Sequence, residues 1–258
     1  MPQFIMIGFH QLSDNDPALT HSPLLRAALL TLQYAQDYGP IGLTKTGTFK
    51  RIFIHWAADH FDWPGFSRNE LFKLNKPFNE YDFPQLELLH FTLIQMKLAR
   101  HYKGKFQVTK RGVTLLKSPA AMFLEVIPFF LFEVDHVAYS RFRDGPVGSW
   151  NIWLNMLNVE VEDGANTHQL YGVFYGLVQD DPSSLRNLSA FHHCVLEPLY
   201  WSGLLFEIEF KLQSLSEIQY FKTPLWRAAL ELDTNDILEP IQLHWAPNKC
   251  VYSMNNCT

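Results

Sequence analysis

No apolar run in the chain approaches the ~20 residues that a helix needs to cross a bilayer; residues 126–132 are among the longest such runs. The amino terminus has no basic stretch before its short apolar segment, the first cation being Arg26, so no secretory leader is expected. Cysteine is scarce. Cys194, Cys250 and Cys257 are odd in number and lack metal-ligand spacing, which suits a reducing cytosol and leaves the Asn187 and Asn256 sequons without meaning. The expected location is cytoplasmic, with no membrane partner. Charge is also thin, at 18% of residues against the roughly 25% of an average soluble protein. Neither G-x-G-x-x-G nor G-x-x-x-x-G-K-[ST] occurs, so no nucleotide loop is expected, and the chain reads as having no cofactor and no metal site.

Aromatic residues fill part of the space that charge leaves. The 258 residues include Phe 21, Tyr 10 and Trp 7. That content excludes a disordered, collagen-like or disulfide-stapled chain and supplies a large core. At about 150 residues per domain, the length fits one large domain or two small ones.

The overall charge of −5 is an average of two unlike halves: residues 1–120 sum to +5 and residues 121–258 to −10. Between Glu87 and Glu125 nothing is acidic, while Lys97, Arg100, Lys103, Lys105, Lys110, Arg111 and Lys117 occur there with His101, Tyr102 and Phe106 among them. Cations spaced in this way can displace counterions from a polyphosphate. The competing reading is a solvated helix face and hairpin.

Periodicity predicts helices over 23–37, 47–62, about 71–74, and from Leu86 to near Arg100. Ser67-Arg-Asn-Glu70 has the form of a capping box, and Asp82-Phe-Pro84 reads as an N-cap followed by a first-turn proline. A short strand fits 41–45. The segment HYKGKFQVTKRGVTLL reads as strand, tight turn at Lys103-Gly104, strand, and a helix after Thr109. Residues 119–132 form a very apolar helix, kinked or broken at Pro128, and 141–148 is the best boundary. The expected domains are therefore 1–140, basic, and 141–258, acidic and aromatic-rich.

In the carboxyl half, 190–200 suits a helix, 204–210 a strand, 213–217 a loop, 218–223 a second strand and 225–232 a helix. Leu43-Thr-Lys-Thr-Gly47, Val108-Thr-Lys-Arg-Gly112 and Phe221-Lys-Thr-Pro224 each lead a strand into a helix. A second unit resembling the first is expected at about 183–232. The tail 245–258 shows no period.

The order helix, strand, helix, helix, strand, basic turn, strand, together with LARHYKGKFQVTKRGVTLL, resembles the winged-helix relatives of the helix-turn-helix over residues 22–118. The whole chain also resembles a group of uncharacterised bacterial proteins that join such a domain to an acidic, Trp-rich half. The resemblance implies an α+β, mainly helical fold, winged-helix-like in its first half and degenerately so in its second. It further implies a bacterial regulator that binds double-stranded DNA. Phosphate contacts are expected from Lys45, Lys50, Arg51, Lys97, Arg100, Lys103, Lys105, Lys110 and Arg111. A helix at 84–100 or 67–74 would enter the major groove, with Asn69, Gln85 and Gln95 near the bases. The alternative is a protein-interaction or oligomerisation module acting through the acidic half.

No catalytic set emerges, so the chain reads as a non-enzyme. His192 and His193 are adjacent, about 100° apart on an α-helix, and His55 and His60 do not form H-E-x-x-H. Asp135, His136 and Ser140 lack a nucleophile elbow, and Cys194 reads as a packed thiol. Trp150, Trp153, Leu154 and Leu157 recur at helical spacing and read as core.

Overall fold

The computed structural model describes residues 7–74, 79–140, 143–176, 181–212 and 215–235. The chain is α+β and mainly helical. It opens with β1 (Gly8–Phe9) and a 3₁₀ turn (Pro17–His21), then α1 (Pro23–Asp37), β2 (Ile41–Gly42), α2 (Arg51–His60) and α3 (Arg68–Leu74). A 3₁₀ turn (Glu80–Asp82) precedes α4 (Pro84–Gln95), the hairpin β3 (Ala99–Tyr102) and β4 (Lys105–Val108), α5 (Lys110–Leu115) and α6 (Pro119–Phe132). The second half holds α7 (His136–Tyr139), α8 (Trp150–Glu160), β5 (Ala165–Asn166), α9 (Thr167–Tyr175) and α10 (Pro182–Phe191). A π-helical turn (His192–Leu196) joins α10 to α11 (Glu197–Ser202), followed by β6 (Leu205–Leu212), β7 (Leu215–Lys222), α12 (Pro224–Ala229) and β8 (Leu230–Glu231). Among the described residues, no helix is long and apolar enough to cross a membrane.

Two three-stranded antiparallel sheets share one strand order, β2-β4-β3 and β5-β7-β6, and β1 pairs with β8 to tie the two ends of the described chain together. The register is shared as well. Ile41 faces Phe106, which faces His101; in the second sheet Ala165 faces Tyr220, which faces Glu207. The repeated unit therefore begins before 183, because α8, β5 and α9 occupy the places of α1, β2 and α2. Short elements such as the two-residue β5 leave little alternation to read, so the strand is fixed by its partner β7.

The junctions repeat in chemical detail. At the end of α4, Lys97 has φ +58°, its N–H donates to the Ile94 carbonyl and the Leu98 N–H to that of Leu93, both at 3.0 Å. At the end of α11, Gly203 has φ +82°, with N–H donation from Gly203 to Tyr200 and from Leu204 to Leu199, also at 3.0 Å. Both are Schellman closures. Past each hairpin a threonine caps the next helix and reaches back to that closure. Thr109 donates its hydroxyl to the Lys97 carbonyl at 2.7 Å, and Thr223 donates to that of Gly203 at 2.6 Å.

Helix α1 is buried along most of its length and meets α4, α6 and α11, so one continuous core joins the halves. α6 runs as a single helix through Pro128, packed by Phe123, Val126, Ile127 and Phe130. The α8 stripe lies inward: Trp153, Leu154 and Leu157 are buried and Trp150 is partly so. Several local boundaries differ from the sequence expectation: β7 starts at Leu215, inside the expected loop 213–217, and the helix expected over 225–232 ends at Ala229, where Leu230–Glu231 pair with β1 as β8. Phe49 belongs to a bridge with Leu43, so α2 starts only at Arg51. Asp82 accepts from Asn79 N–H at 2.7 Å and closes the 3₁₀ turn, leaving Phe83 as the α4 cap. Arg100 stands in β3, because the Schellman turn ends α4 at Gln95. The Ser67 box forms, with Ser67 N–H donating to the Glu70 carboxylate at 2.9 Å. The tail 245–258 lies outside the described residues.

Candidate nucleic-acid interface

In an antiparallel pair, residues directly opposite project to the same side. Arg100 faces Gln107 and Tyr102 faces Lys105, whereas His101 and Phe106 form the inner pair. Arg100, Tyr102 and Lys105 therefore share the outer face of the first sheet, all exposed. The turn between the strands has φ +50° at Lys103 and +68° at Gly104, the positive values that a tight two-residue hairpin demands. Lys103 Nζ lies 5.2 Å from the centre of the Tyr102 ring and the Arg100 guanidinium 5.4 Å from it. Gly42 faces Lys105 on the same side, and a Cβ on Gly42 would come 2.9 Å from Lys50 Cδ. The Lys50 stem thus crosses the sheet over a missing side chain. Lys50, Arg100, Lys103 and Lys105 form one basic strip around Tyr102.

The other five expected cations lie elsewhere. Lys45 is exposed on the turn 44–47, and Lys97 occupies the left-handed closure of α4. Arg51 Nε donates to Asn79 Oδ1 at 3.1 Å. Arg111 donates to the Met96 carbonyl at 2.8 Å and pairs with Glu125. Lys110 is exposed at the start of α5, past the sheet. Of the three residues expected near bases, Asn69 and Gln95 are exposed, while Gln85 is only 1% exposed and cannot reach a base. The face α4 leaves in contact with solvent carries Glu87, Phe91, Ile94 and Gln95. A helix with that face lacks the cations that would draw it toward phosphate.

A chain of proton-sharing groups holds the strip from behind. Glu80, 2% exposed on its 3₁₀ turn, accepts from Phe49 N–H and from His90 Nδ1, the latter at 2.6 Å. His90 stacks on Phe49 with ring centres 3.9 Å apart, and its Nε2 meets His101 Nε2 at 2.7 Å. Burial, then the neighbouring His90, holds the His101 imidazole below its ordinary value of 6.5. The Thr46 and Thr48 hydroxyls beside this chain share bonds with Thr44 at 2.9 and 2.7 Å. The arrangement fixes β3 against α4 and thereby sets the plane of the hairpin. Sequence spacing contained no signal for it, since its members stand ten and eleven residues apart on three different elements.

The remaining candidates of the sequence are distributed as follows. His136 Nε2 meets the Phe130 carbonyl at 2.8 Å, and burial lowers its pKa. Cys194 is buried and its thiol is pushed up to about 11, chiefly by desolvation, which keeps it unreactive. Glu162 pairs with both Lys222 and Arg227, and the Lys222 bond first of all holds its carboxyl below the usual range.

Comparison with known proteins bears on both halves. The model of the Y4jL N-terminal domain matches residues 20–121 and that of the y4jL C-terminal domain residues 140–224. An uncharacterized protein, y4jL of Sinorhizobium fredii (strain NBRC 101917 / NGR234), is 35% identical over 157 residues, which cover 60% of this chain and 70% of that protein. The chain belongs to the Y4jL family. No solved structure matches it. The two family domains meet between 121 and 140, within the segment that α6 and α7 occupy, and each contains one of the two three-stranded sheets. Membership names a bacterial relative but no activity, so the functional reading rests on the surfaces described above.

Proposed function

We propose that the chain is a double-stranded DNA-binding protein built from two winged-helix-like units, in which the outer face of the first sheet and its hairpin turn grip phosphate. The strip of Lys50, Arg100, Lys103 and Lys105 is the observation that carries this reading. The order helix, strand, helix, helix, hairpin and the sheet order β2-β4-β3 support the winged-helix description. Contact through the wing positions a protein on the duplex and reads little sequence. The acidic second half, repelled by phosphate, turns away from the duplex in this arrangement.

A second reading, a protein-interaction module, has its own support. Phe206, Ile208 and Phe210 are exposed on the outer side of the second hairpin, where the first carries its cations. The two readings are compatible if each hairpin serves its own partner.

Binding of the full chain to random duplex DNA, followed by fluorescence anisotropy across a salt series, tests the proposal. Replacing the four cations by alanine should flatten the log–log salt slope by roughly 3–4 units. Absent or salt-insensitive binding by the wild type would sink the DNA reading.

A further inference from the structure

The π-helical turn between α10 and α11 does something an α-helix cannot. The Glu197 N–H bonds back to the His192 carbonyl, five residues earlier. On an α-helix at about 100° per residue, His192 and Glu197 would stand roughly 140° apart. The wider turn brings residues five apart toward one side, and such turns recur at functional sites. Here one ligand atom from each of His192, His193 and Glu197 lies within 4.8 Å of the others. His193 Nδ1 and Glu197 Oε2 are already 2.8 Å apart and share a proton that a cation would replace. Two imidazoles and a carboxylate form a donor set suited to zinc and its first-row neighbours.

The cluster borders space on two sides. His193 and Glu197 line a cavity of about 460 Å³ between the halves of the molecule, together with Gln85, His136 and Tyr139. His192 and Glu197 line a second, of about 430 Å³, with Glu207. Gln85 supplies an independent observation. It is 1% exposed, and among the described residues neither its amide oxygen nor its amide nitrogen meets a hydrogen-bond partner. A buried amide with both ends unsatisfied costs free energy unless something in the cavity bonds to it.

We propose that His192, His193 and Glu197 bind one Zn²⁺ or neighbouring first-row divalent cation, with an open coordination position facing the cavity that Gln85 lines. Three protein ligands and one free position are the pattern of sites that bind or activate a small molecule, as opposed to closed structural sites with four. The site is independent of the basic strip and stands or falls apart from DNA binding.

Calorimetric titration of the full, chelator-stripped chain with Zn²⁺ tests it. One equivalent should bind, Mg²⁺ should not compete, and Glu197→Gln and His193→Ala should each weaken binding by more than about a hundredfold, since even outer-shell losses cost about 10–100-fold. Cys194→Ser, buried and outside the three ligands, should leave the isotherm unchanged. If His193→Ala loses its native circular dichroism, the near-isosteric Glu197→Gln decides. Absence of Zn²⁺ binding by the wild type, or equal affinity in Glu197→Gln, overturns the site. Azide added to the Co²⁺-loaded protein should shift its visible bands; unshifted bands overturn the open position.

Discussion

The two three-stranded sheets share strand order and register, yet their outer faces have opposite chemistry. Arg100, Tyr102, Lys105 and Gln107 in the first correspond to Phe206, Ile208, Gln219 and Phe221 in the second. Phe206 and Phe221 stack with ring centres 5.5 Å apart where Arg100 and Gln107 sit in the other unit. What the units keep in common is the backbone closure, Schellman turn plus capping threonine. That closure satisfies carbonyls and N–H groups that would otherwise be orphaned at a helix end. The outer faces carry no such obligation and are free to differ. Similar topology here is therefore no argument for similar binding.

The largest test of this comparison is at the paired closures. Gly203→Ala places a Cβ on a left-handed residue and against the His21 carbonyl and Ser22 Cα. It should cost at least about 3 kcal/mol in denaturant unfolding, from backbone strain and overpacking combined. Next come the threonines. Thr223→Val removes a buried hydroxyl that both donates to Gly203 and accepts from Leu225 N–H, and should cost about 1–3 kcal/mol. Thr109→Val, at a half-buried position, should cost less, about 0.5–1.5 kcal/mol. Equal losses would mean that the second closure is no tighter than the first. Lys97→Gly should reverse the sign and stabilise by up to about 1 kcal/mol, since Lys97 already strains at φ +58°.

The smallest effect is one of pH. His101 and Glu207 occupy the same register position, and their pKa values move in opposite directions, each toward the neutral form. Burial, with His90 adding to it and Glu80 opposing, lowers His101 from 6.5. Burial, with Glu197 adding and the Tyr220 hydroxyl opposing, raises Glu207 from 4.5. The unfolded chain binds the His101 proton first, so stability from this group is present above pH 6.5 and falls as pH drops toward its folded value. For Glu207 the folded chain holds the proton longer, so its contribution is present below pH 4.5 and is lost as pH rises through the raised folded value. In thermal melts across pH, His101→Asn should remove the acid-side loss and Glu207→Gln the loss on raising pH. A profile unchanged by either substitution would break the pairing.

The strip was legible residue by residue, because cations in a hairpin with a Lys-Gly turn announce themselves. Its membership was not. Arg111 and Arg51 look equivalent to Lys105 in the sequence, but Glu125 and Asn79, far along the chain, turn them aside. Lys50 joined the strip only because Gly42 leaves room across the sheet. The start of the repeat is hidden in the sequence, since β5 is two residues long and α9 starts at a cap (Asn166) that no strand pattern flags. On α-helical geometry His192 and His193 diverge; the π turn, and Glu197 with it, lies beyond any periodicity of 3.6.

By itself the sequence determined the class of fold, the first hairpin and the division into a basic and an acidic half. Those follow from local spacing and from counting, which need no neighbours. Only the tertiary structure decided which cations stand together, that Glu80, His90 and His101 form a chain, and that two histidines and a glutamate converge beside a cavity. Each of these depends on distances between groups remote in sequence, where the backbone closure of one element sets the aim of another.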